Sequence, residues 1–449
     1  MRIPKQPPDR NAIFQRTLAA GGEKVQSFFA NSRPVDSKER YLHWDELRFK
    51  PAPAGLTHEE WWAATKLARD IIRQPLALTD GAGRRFGFTE PQILKVALRF
   101  LDMNAGGALG ADVVGVSEKE GRAHLTRSLA EEPFASSFIE GAATTRQIAK
   151  QLIFEGRQPA TRDELMVLNN YRAMEFVKQF RGQSLRLEFL LELHRIVTQG
   201  TMDNPADAGR IRTSNDIQVV DDTNGEVLHQ PPPFAELPAR LEALFAFAND
   251  DAEGPGWVHP LLKAIILHFM LAYEHPFVDG NGRVARALFY WYALKQGYWL
   301  LEYVSISSVI AESKIDYGRS FLFVESDESD VTYFLCNQAT TLRKALEKLH
   351  QYVERKKNEV QALEERLMDW SRPDAFNHRQ SWILNEFVRG RIPRVTIAEH
   401  VQRHGVSYLT ARTDLERLVA AGFLRKSKLA QVSLYRPVAN LIEKLTDAA

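Results

Sequence analysis

Apolar residues recur along most of this chain at intervals of three and four, the spacing that lines one face of an α-helix. Residues 57–73, THEEWWAATKLARDIIR, carry that pattern behind a threonine cap, with acids early and bases late as the helix dipole favours. Residues 90–103 repeat it, and Gly-rich or polar stretches at 80–88 and 104–110 punctuate these helices. Further amphipathic helices are predicted at 160–180 and 186–200. The spacing changes at 215–233, NDIQVVDDTNGEVLHQPPP, where two short β-prone runs flank a turn. Asn224-Gly225 supplies the positive φ of a hairpin, and Pro231 to Pro233 stop its second strand. Helices resume at 235–250 and 259–273. Residues 1–40 are polar and Pro-bearing, without sustained periodicity, and read as a partly ordered arm.

Residues 338–369 form a long helix candidate. Leu342, Leu346, Leu349, Val353, Val360, Leu363 and Leu367 follow a 4–3 spacing that only Lys356 interrupts. Such a stripe suits first a linker helix packed on its own domain, with a dimer seam as the alternative. After Ser371-Arg372-Pro373 come three short helical patterns and a terminal β-ribbon, an order that resembles a winged helix-turn-helix. The chain thus divides into a polar arm (1–40), an N-terminal helical region (41–125), a central domain (126–335), a connecting helix (336–372) and a C-terminal module (373–449).

Composition narrows the class without naming a function. A chain of 449 residues is long for one core and suggests two or three domains. A net charge of +1 with 26% charged residues announces neither nucleic acid nor disorder. The single Cys336 excludes an intrachain disulfide and a Cys-rich zinc site. The N-terminal MRIPKQPPDRNAIFQ lacks the apolar segment of a secretory signal. The most apolar run, 261–273, carries Lys263 and His268 and falls short of the ~20 residues of a membrane span. These features point to the cytoplasm.

One stretch carries more chemistry than a helix–helix connection needs. Residues 275–286 read HPFVDGNGRVAR. Gly280 and Gly282 let the backbone turn sharply and approach a ligand. Asn281 can add a side-chain amide. A helix opens at Arg283, and a helix N-terminus offers unpaired N–H groups and partial positive charge to an anion. Arg283 and Arg286 emerge on one face beside it, as a polyphosphate would require. A carboxylate there, Asp279, is repulsive unless Mg²⁺ bridges it to phosphate oxygens. His275 can take a proton from an attacking hydroxyl. Together these groups suit transfer of a phosphate-containing group from a Mg²⁺-bound nucleotide.

At every fixed position this stretch resembles the signature of the Fic family, His-Pro-Phe-x-(Asp/Glu)-Gly-Asn-Gly-Arg-x-x-Arg. GRIR at 209–212, the hairpin, the lead-in HPLLKAIILHFMLAYEHPF and YVSISSVI at 303–310 extend the similarity over roughly 130–335. The resemblance implies a mainly α fold, with a Fic-type helical core and a small β-hairpin flap. It implies transfer of AMP from ATP to a Tyr, Thr or Ser hydroxyl of a target protein, with pyrophosphate leaving. His275 would be the general base and Asp279 the Mg²⁺ ligand. Gly280, Asn281 and Gly282 would form the anion hole, and Arg283 and Arg286 would bind phosphates. The signature leaves the transferred group open, because some relatives move UMP or phosphocholine.

Two further features follow from the resemblance. SSFIEG at 136–141 is similar to the family's inhibitory helix pattern, (Ser/Thr)-x-x-x-Glu-(Gly/Asn), through Ser136, Glu140 and Gly141, on a helix expected at about 130–145. Glu140 would then pair with Arg286 and displace the γ-phosphate, or orient a water for removing AMP. The hairpin at 215–231 is similar to the family's flap, where Ile217, Gln218, Val219 and Val220 would offer a strand edge to the target. In the C-terminal module, Arg412, Arg417, Arg425, Lys426 and Lys428 could contact DNA phosphates, although Asp414 and Glu416 interrupt the basic face and such modules also bind proteins. The reading is an autoinhibited protein adenylyltransferase, with ATP, a protein hydroxyl (its own included) and DNA or another protein as partners, and a homodimer compatible with the long helix. The alternatives are an AMP-removing or otherwise nucleotide-selective relative, and a nucleotide-sensing DNA-binding regulator.

Overall fold

Two helices, Pro260–Glu274 and Asn281–Lys295, lie at the centre of the fold, and nearly every side chain on both is buried. That explains why their sequences are apolar around the whole circumference: a helix covered on all sides has no polar face. This computed structural model describes residues 1–106, 127–369, 376–388 and 392–445, apart from 222, 255, 430, 431, 439, 442 and 443. Among the described residues the chain is mainly helical, with three small antiparallel sheets. No helix there is long and apolar enough to cross a membrane. The described residues fall into two units, one ending at Glu347 and the other beginning at Lys348.

Around the central pair lie Glu131–Ile139, Arg162–Gln179, Leu187–Thr198 and Leu237–Asn249. The hairpin expected at 215–231 forms, but with short strands: β3 (Val219–Val220) and β4 (Val227–His229). They pair with Val219 opposite His229 and Val220 opposite Val227.

The N-terminal region differs from its sequence reading. Where the pattern suggested a polar arm, the structure has two helices, Arg10–Ala19 and Gly22–Ala30. They bury Ile13 and Phe28 against Trp44, Trp61 and Trp62. So few core residues per helix leave no visible periodicity, and the tryptophans of a neighbouring segment supply the apolar surface. Residues 74–88 also differ. The stretch read as punctuation contains half of a hairpin, β1 (Gln74–Thr79) and β2 (Arg85–Phe88). Asp80 holds its turn by accepting from the N–H groups of Ala82 and Arg84.

Buried ionic contacts join this region to the later helices. Lys66 pairs with Asp327 at 2.9 Å. The buried Arg69 guanidinium lies 3.6 Å from the Tyr41 ring centroid and donates to Pro34 O, Leu42 O and Tyr333 Oη. Losing one partner of such a set strands a buried charge, so these contacts set the alignment of the pieces as much as their strength.

Protonation also matters to this core. Burial pushes the imidazoles of His43 and His194 down to about 4 and that of His268 to about 3. In the unfolded chain they titrate near the ordinary value of about 6.5, so between the two values the unfolded state binds more protons. Stability contributed by these groups is therefore present above about pH 6.5 and lost as pH falls toward about 4. The urea midpoint should drop clearly between about pH 7 and about pH 5. A flat midpoint across that window would contradict neutral burial.

The second unit contains the helices His378–Val388, Ile397–His404 and Tyr408–Ala420 and a sheet of order β5-β7-β6. Strand β5 is Val395–Thr396, β6 is Leu424–Leu429 and β7 is Val432–Pro437. Its core is built on Leu384, Phe387, Leu415, Leu418 and Tyr435. The two acids that interrupted the basic pattern are both engaged. Asp414 is buried and accepts from Arg379 and Asn377, each at 2.7 Å, with His400 Nε2 at 3.2 Å. Glu416 is held by Lys426 and by Tyr435 Oη. The long helix runs Thr332–Asp369. Its Leu342, Leu346, Leu349 and Val353 are buried, while the side chains of Lys356, Val360, Leu363 and Leu367 lie outside the described residues.

Candidate active site

Helix 260–274 ends in a left-handed residue, His275 (φ 46°, ψ 56°), whose N–H still donates to Leu271 O at 3.1 Å. A non-glycine residue held at positive φ is uncommon and here turns the chain sharply into the loop. Asn281 closes that loop. Its side chain accepts from Phe277 N–H at 2.9 Å and donates to Phe277 O at 2.8 Å. The amide expected to reach an anion is therefore engaged within the loop through its oxygen and one of its two N–H groups. Gly280 is the N-cap of helix 281–295, at φ +86°, and a Cβ there would come within 2.9 Å of Thr198 Cγ2. Gly282 sits in the first turn, where an added Cβ would collide with the Glu140 carboxylate.

The two arginines differ in their occupation. Arg283, buried, donates to Asp279 Oδ2 at 3.2 Å and to Val197 O at 3.3 Å. Arg286, also buried, donates through Nε to Ser136 Oγ at 2.9 Å and through Nη2 to Ser136 O at 3.1 Å and Glu140 Oε1 at 2.8 Å. Ser136, Glu140 and Arg286 thus meet although 146 positions separate the last two. Burial works against the Arg286 charge, but the Glu140 carboxylate beside it holds its pKa above the ordinary value. Gly141, at φ +93°, takes the chain away just after the helix ends.

His275 Nδ1 lies 3.2 Å from Ala272 O. A carbonyl only accepts, so Nδ1 carries the proton and Nε2 keeps its lone pair. Burial pushes this imidazole down to about 4, against the pull of the Ala272 bond. It is neutral near pH 7 and able to accept a proton.

Asp279 is the one carboxylate of the loop. Its side chain is half exposed, with Oδ1 accepting from Gly280 N–H at 2.6 Å. Among the described residues no cluster of three or more His, Cys, Asp or Glu could hold a metal by itself. A lone, accessible carboxylate beside a helix N-terminus nevertheless fits Mg²⁺, which keeps several waters and takes its remaining ligands from the oxygens of a bound phosphate.

Four residues that hold this arrangement carried no assigned role in the sequence. His194 accepts from Gly209 N–H at Nδ1 and so donates from Nε2 to Asp279 O, both at 2.9 Å, with its ring stacked 3.8 Å from Phe277. Arg212 donates to His275 O at 2.9 Å, to Ser214 O at 2.8 Å and to Pro232 O, tying the loop to both ends of the hairpin. Glu132 anchors the start of helix 131–139 by accepting from Ser305 Oγ, Ser307 N–H and Ser307 Oγ. Lys314 holds its end, donating to Ile139 O at 3.2 Å. GRIR at 209–212 was visible as a motif, but the loop that Arg212 holds lies far away in the chain.

On the hairpin, Val219 and Val220 form β3, while Ile217 and Gln218 precede it. Gln218 Nε2 donates to Gln230 Oε1 at 2.7 Å, and Val220 is 43% exposed, leaving an apolar side chain to solvent.

Residues 184–293 match the Fic/DOC family. A curated relative from Nematostella vectensis, named protein adenylyltransferase Fic, is 29% identical over 165 residues, covering 34% of this chain and 35% of that protein. One of the same name from Drosophila grimshawi is 30% identical over 190 residues, covering 40% and 36%. The chain thus spans about a third of the length of these relatives. Among solved structures, a Fic family protein from Desulfovibrio desulfuricans G20 aligns at 19% identity and a TM-score of 0.49, covering 78% of this chain and 98% of that one. Fic-1 from C. elegans aligns at 19% identity and a TM-score of 0.45, covering 59% and 71%. The matched span contains His194, Arg212, the hairpin and the whole 275–286 loop, and the chain carries a Fic domain.

Proposed function

We propose that this protein transfers AMP from ATP to a hydroxyl of a protein target and that its own helix 131–139 restrains the reaction. The carrying observation is that the Arg286 guanidinium, in the second turn of helix 281–295, is bonded to the Glu140 carboxylate, which lies against Gly282 in the first turn. The first-turn N–H groups of helix 281–295, with Arg283 and Arg286, would bind the polyphosphate. Asp279 would hold Mg²⁺, which when bound neutralises phosphate charge. The target's hydroxyl oxygen attacks the α-phosphorus, its proton passes to His275 Nε2, and the bond to pyrophosphate breaks. An edge at Val219–Val220 would seat the target segment by strand addition. With Glu140 on Arg286, ATP would bind with its α-phosphate misaligned. The test is mass spectrometry of Glu140→Gly protein incubated with ATP and Mg²⁺. A gain of one AMP, absent from a Glu140→Gly/His275→Ala variant, is the expected result. Absence of AMP on the protein itself and on lysate proteins would count against it.

A second reading concerns the C-terminal unit, read as a winged helix. With Asp414 buried and Glu416 bound, the exposed surface of helix 408–420 and the ribbon carries Arg412, Arg417, Arg425 and Arg436. Arg425 and Arg436 are direct cross-strand partners. The Lys428 side chain lies outside the described residues. Such a surface suits a phosphate backbone. Duplex DNA should bind at low salt and weaken steeply as salt rises, and Arg412→Glu with Arg425→Glu should abolish the shift in a gel assay. Binding indifferent to salt, or to these variants, would remove this reading.

A further inference from the structure

His229 ends strand β4 of the hairpin and is buried, with both ring nitrogens bonded. Nδ1 lies 2.8 Å from Glu325 Oε2, and Nε2 lies 2.7 Å from the carbonyl oxygen of Tyr273. A carboxylate and a carbonyl both accept. A neutral imidazole has one N–H and could satisfy only one of them, so two such bonds require two N–H groups and hence an imidazolium. The three other histidines buried in this unit do not face a pair of acceptors in this way. His194 receives an N–H at Nδ1, His43 does so from Asp45, and His268 Nδ1 has no partner.

The position of this ring gives the charge a consequence. His229 is the strand partner of Val219. Its Nε2 holds the carbonyl of Tyr273, in the last turn of the helix that delivers His275 two residues later. Tyr273 is fixed from another side as well, its hydroxyl accepting from Gly81 N–H at 2.8 Å. We infer that the His229–Glu325 pair is a positioning device that pins the hairpin to the end of helix 260–274 and so sets the distance from the Val219–Val220 edge to His275. This rests on the reading of that edge as the seat of a protein target.

The groups facing the ring agree with a charged state. Glu325 approaches from helix Lys314–Ser326, and Tyr273 and Glu274 from helix 260–274, with Glu274 already bonded to Arg240 at 2.6 Å. His275 is the nearby titratable group that would repel it, and it is neutral near pH 7. Burial alone would discharge His229, yet the Glu325 bond and charge outweigh it and hold its pKa above the ordinary value. The pin is therefore complete below the ordinary histidine range and is released as pH rises through the raised value. Replacing Glu325 moves that release to lower pH.

The experiment uses the full chain and two readouts that do not depend on catalysis. Ring ¹⁵N NMR on histidine-labelled protein identifies His229 by the loss of its signal in His229→Gln. The ring should be doubly protonated at about pH 7 in the parent and neutral in Glu325→Gln. Amide hydrogen exchange at Val219 and Val220 should accelerate by about tenfold in Glu325→Gln, with the helix 260–274 amides unchanged. In the Glu140→Gly background, Glu325→Gln should slow self-labelling from labelled ATP by about tenfold at about pH 7, with an unchanged KM for ATP. A neutral ring in the parent, or hairpin exchange unaffected by Glu325→Gln, overturns the inference. So does a fall in labelling accompanied by an equal change in KM for ATP, which marks general disruption. If Glu140→Gly protein takes up no label, the proposed transfer reaction fails, and the ring and exchange measurements still decide the role of His229.

Discussion

Replacing Glu140 by glycine should raise AMP transfer by about 10²-fold, the scale on which a small misplacement of reacting groups slows a reaction. The reason lies in the single contact at 2.8 Å between Glu140 Oε1 and Arg286 Nη2. The guanidinium is buried and the carboxylate only partly so, and the charge-assisted bond between them makes Glu140 a competitor for a guanidinium that would otherwise hold phosphate. Fold disruption is not expected to obscure the result. Glu140 is the residue after the last helical turn, where glycine is well tolerated, and the helix keeps its anchors at Glu132 and Lys314. Arg286 also keeps its two bonds to Ser136. Labelled-ATP incorporation measured on wild type and variant checks the prediction, and equal rates would end the restraint reading. The rival role of Glu140, orienting a water for AMP removal, is separated by chasing labelled protein with excess Mg²⁺. There wild type would lose the label and Glu140→Gly would keep it.

Replacing His275 in the Glu140→Gly background should lower the rate by about 10²- to 10⁴-fold, the usual range for a positioned general base. The Nδ1 bond to Ala272 O leaves Nε2 as the accepting nitrogen, and burial keeps the ring neutral down to about pH 4. Between pH 5 and 8 the rate should therefore show no inflection from this residue, with loss confined to the acid side near pH 4. Alanine at φ 46° carries a backbone penalty of about 1–2 kcal/mol, whereas asparagine adopts that conformation readily. Both variants should be inactive, and both should still bind ATP, because neither removes an anion-binding group. An active His275→Asn enzyme would show that proton removal is not the role of this side chain.

How much of this was legible depended on where each partner lay in the chain. The 275–286 loop was readable because its groups are contiguous: one helix end, two glycines, one carboxylate and two arginines on adjacent turns. Helix periodicity located the central pair, and Asn224-Gly225 located the hairpin turn. Helices 10–19 and 22–30 were not readable, because each contributes few core residues and depends on the tryptophans of the next segment. The assignment of Asn281 to the anion site missed that its amide matches both backbone groups of Phe277 at once. His194, Arg212, Glu132 and His229 look like ordinary members of helix, loop and strand, and their importance comes from partners 44 to 175 positions away.

By itself, the sequence determined the helical class, the hairpin and the inventory of chemical groups in the loop, because local spacing governs helix faces, turns and helix N-termini. Only the tertiary structure decided which of those groups are occupied and in what protonation state. It placed Glu140 on Arg286, withdrew Asp414 from the surface and set two acceptors around His229. Hydrogen bonding and desolvation act between neighbours in space, and no spacing along the chain encodes them.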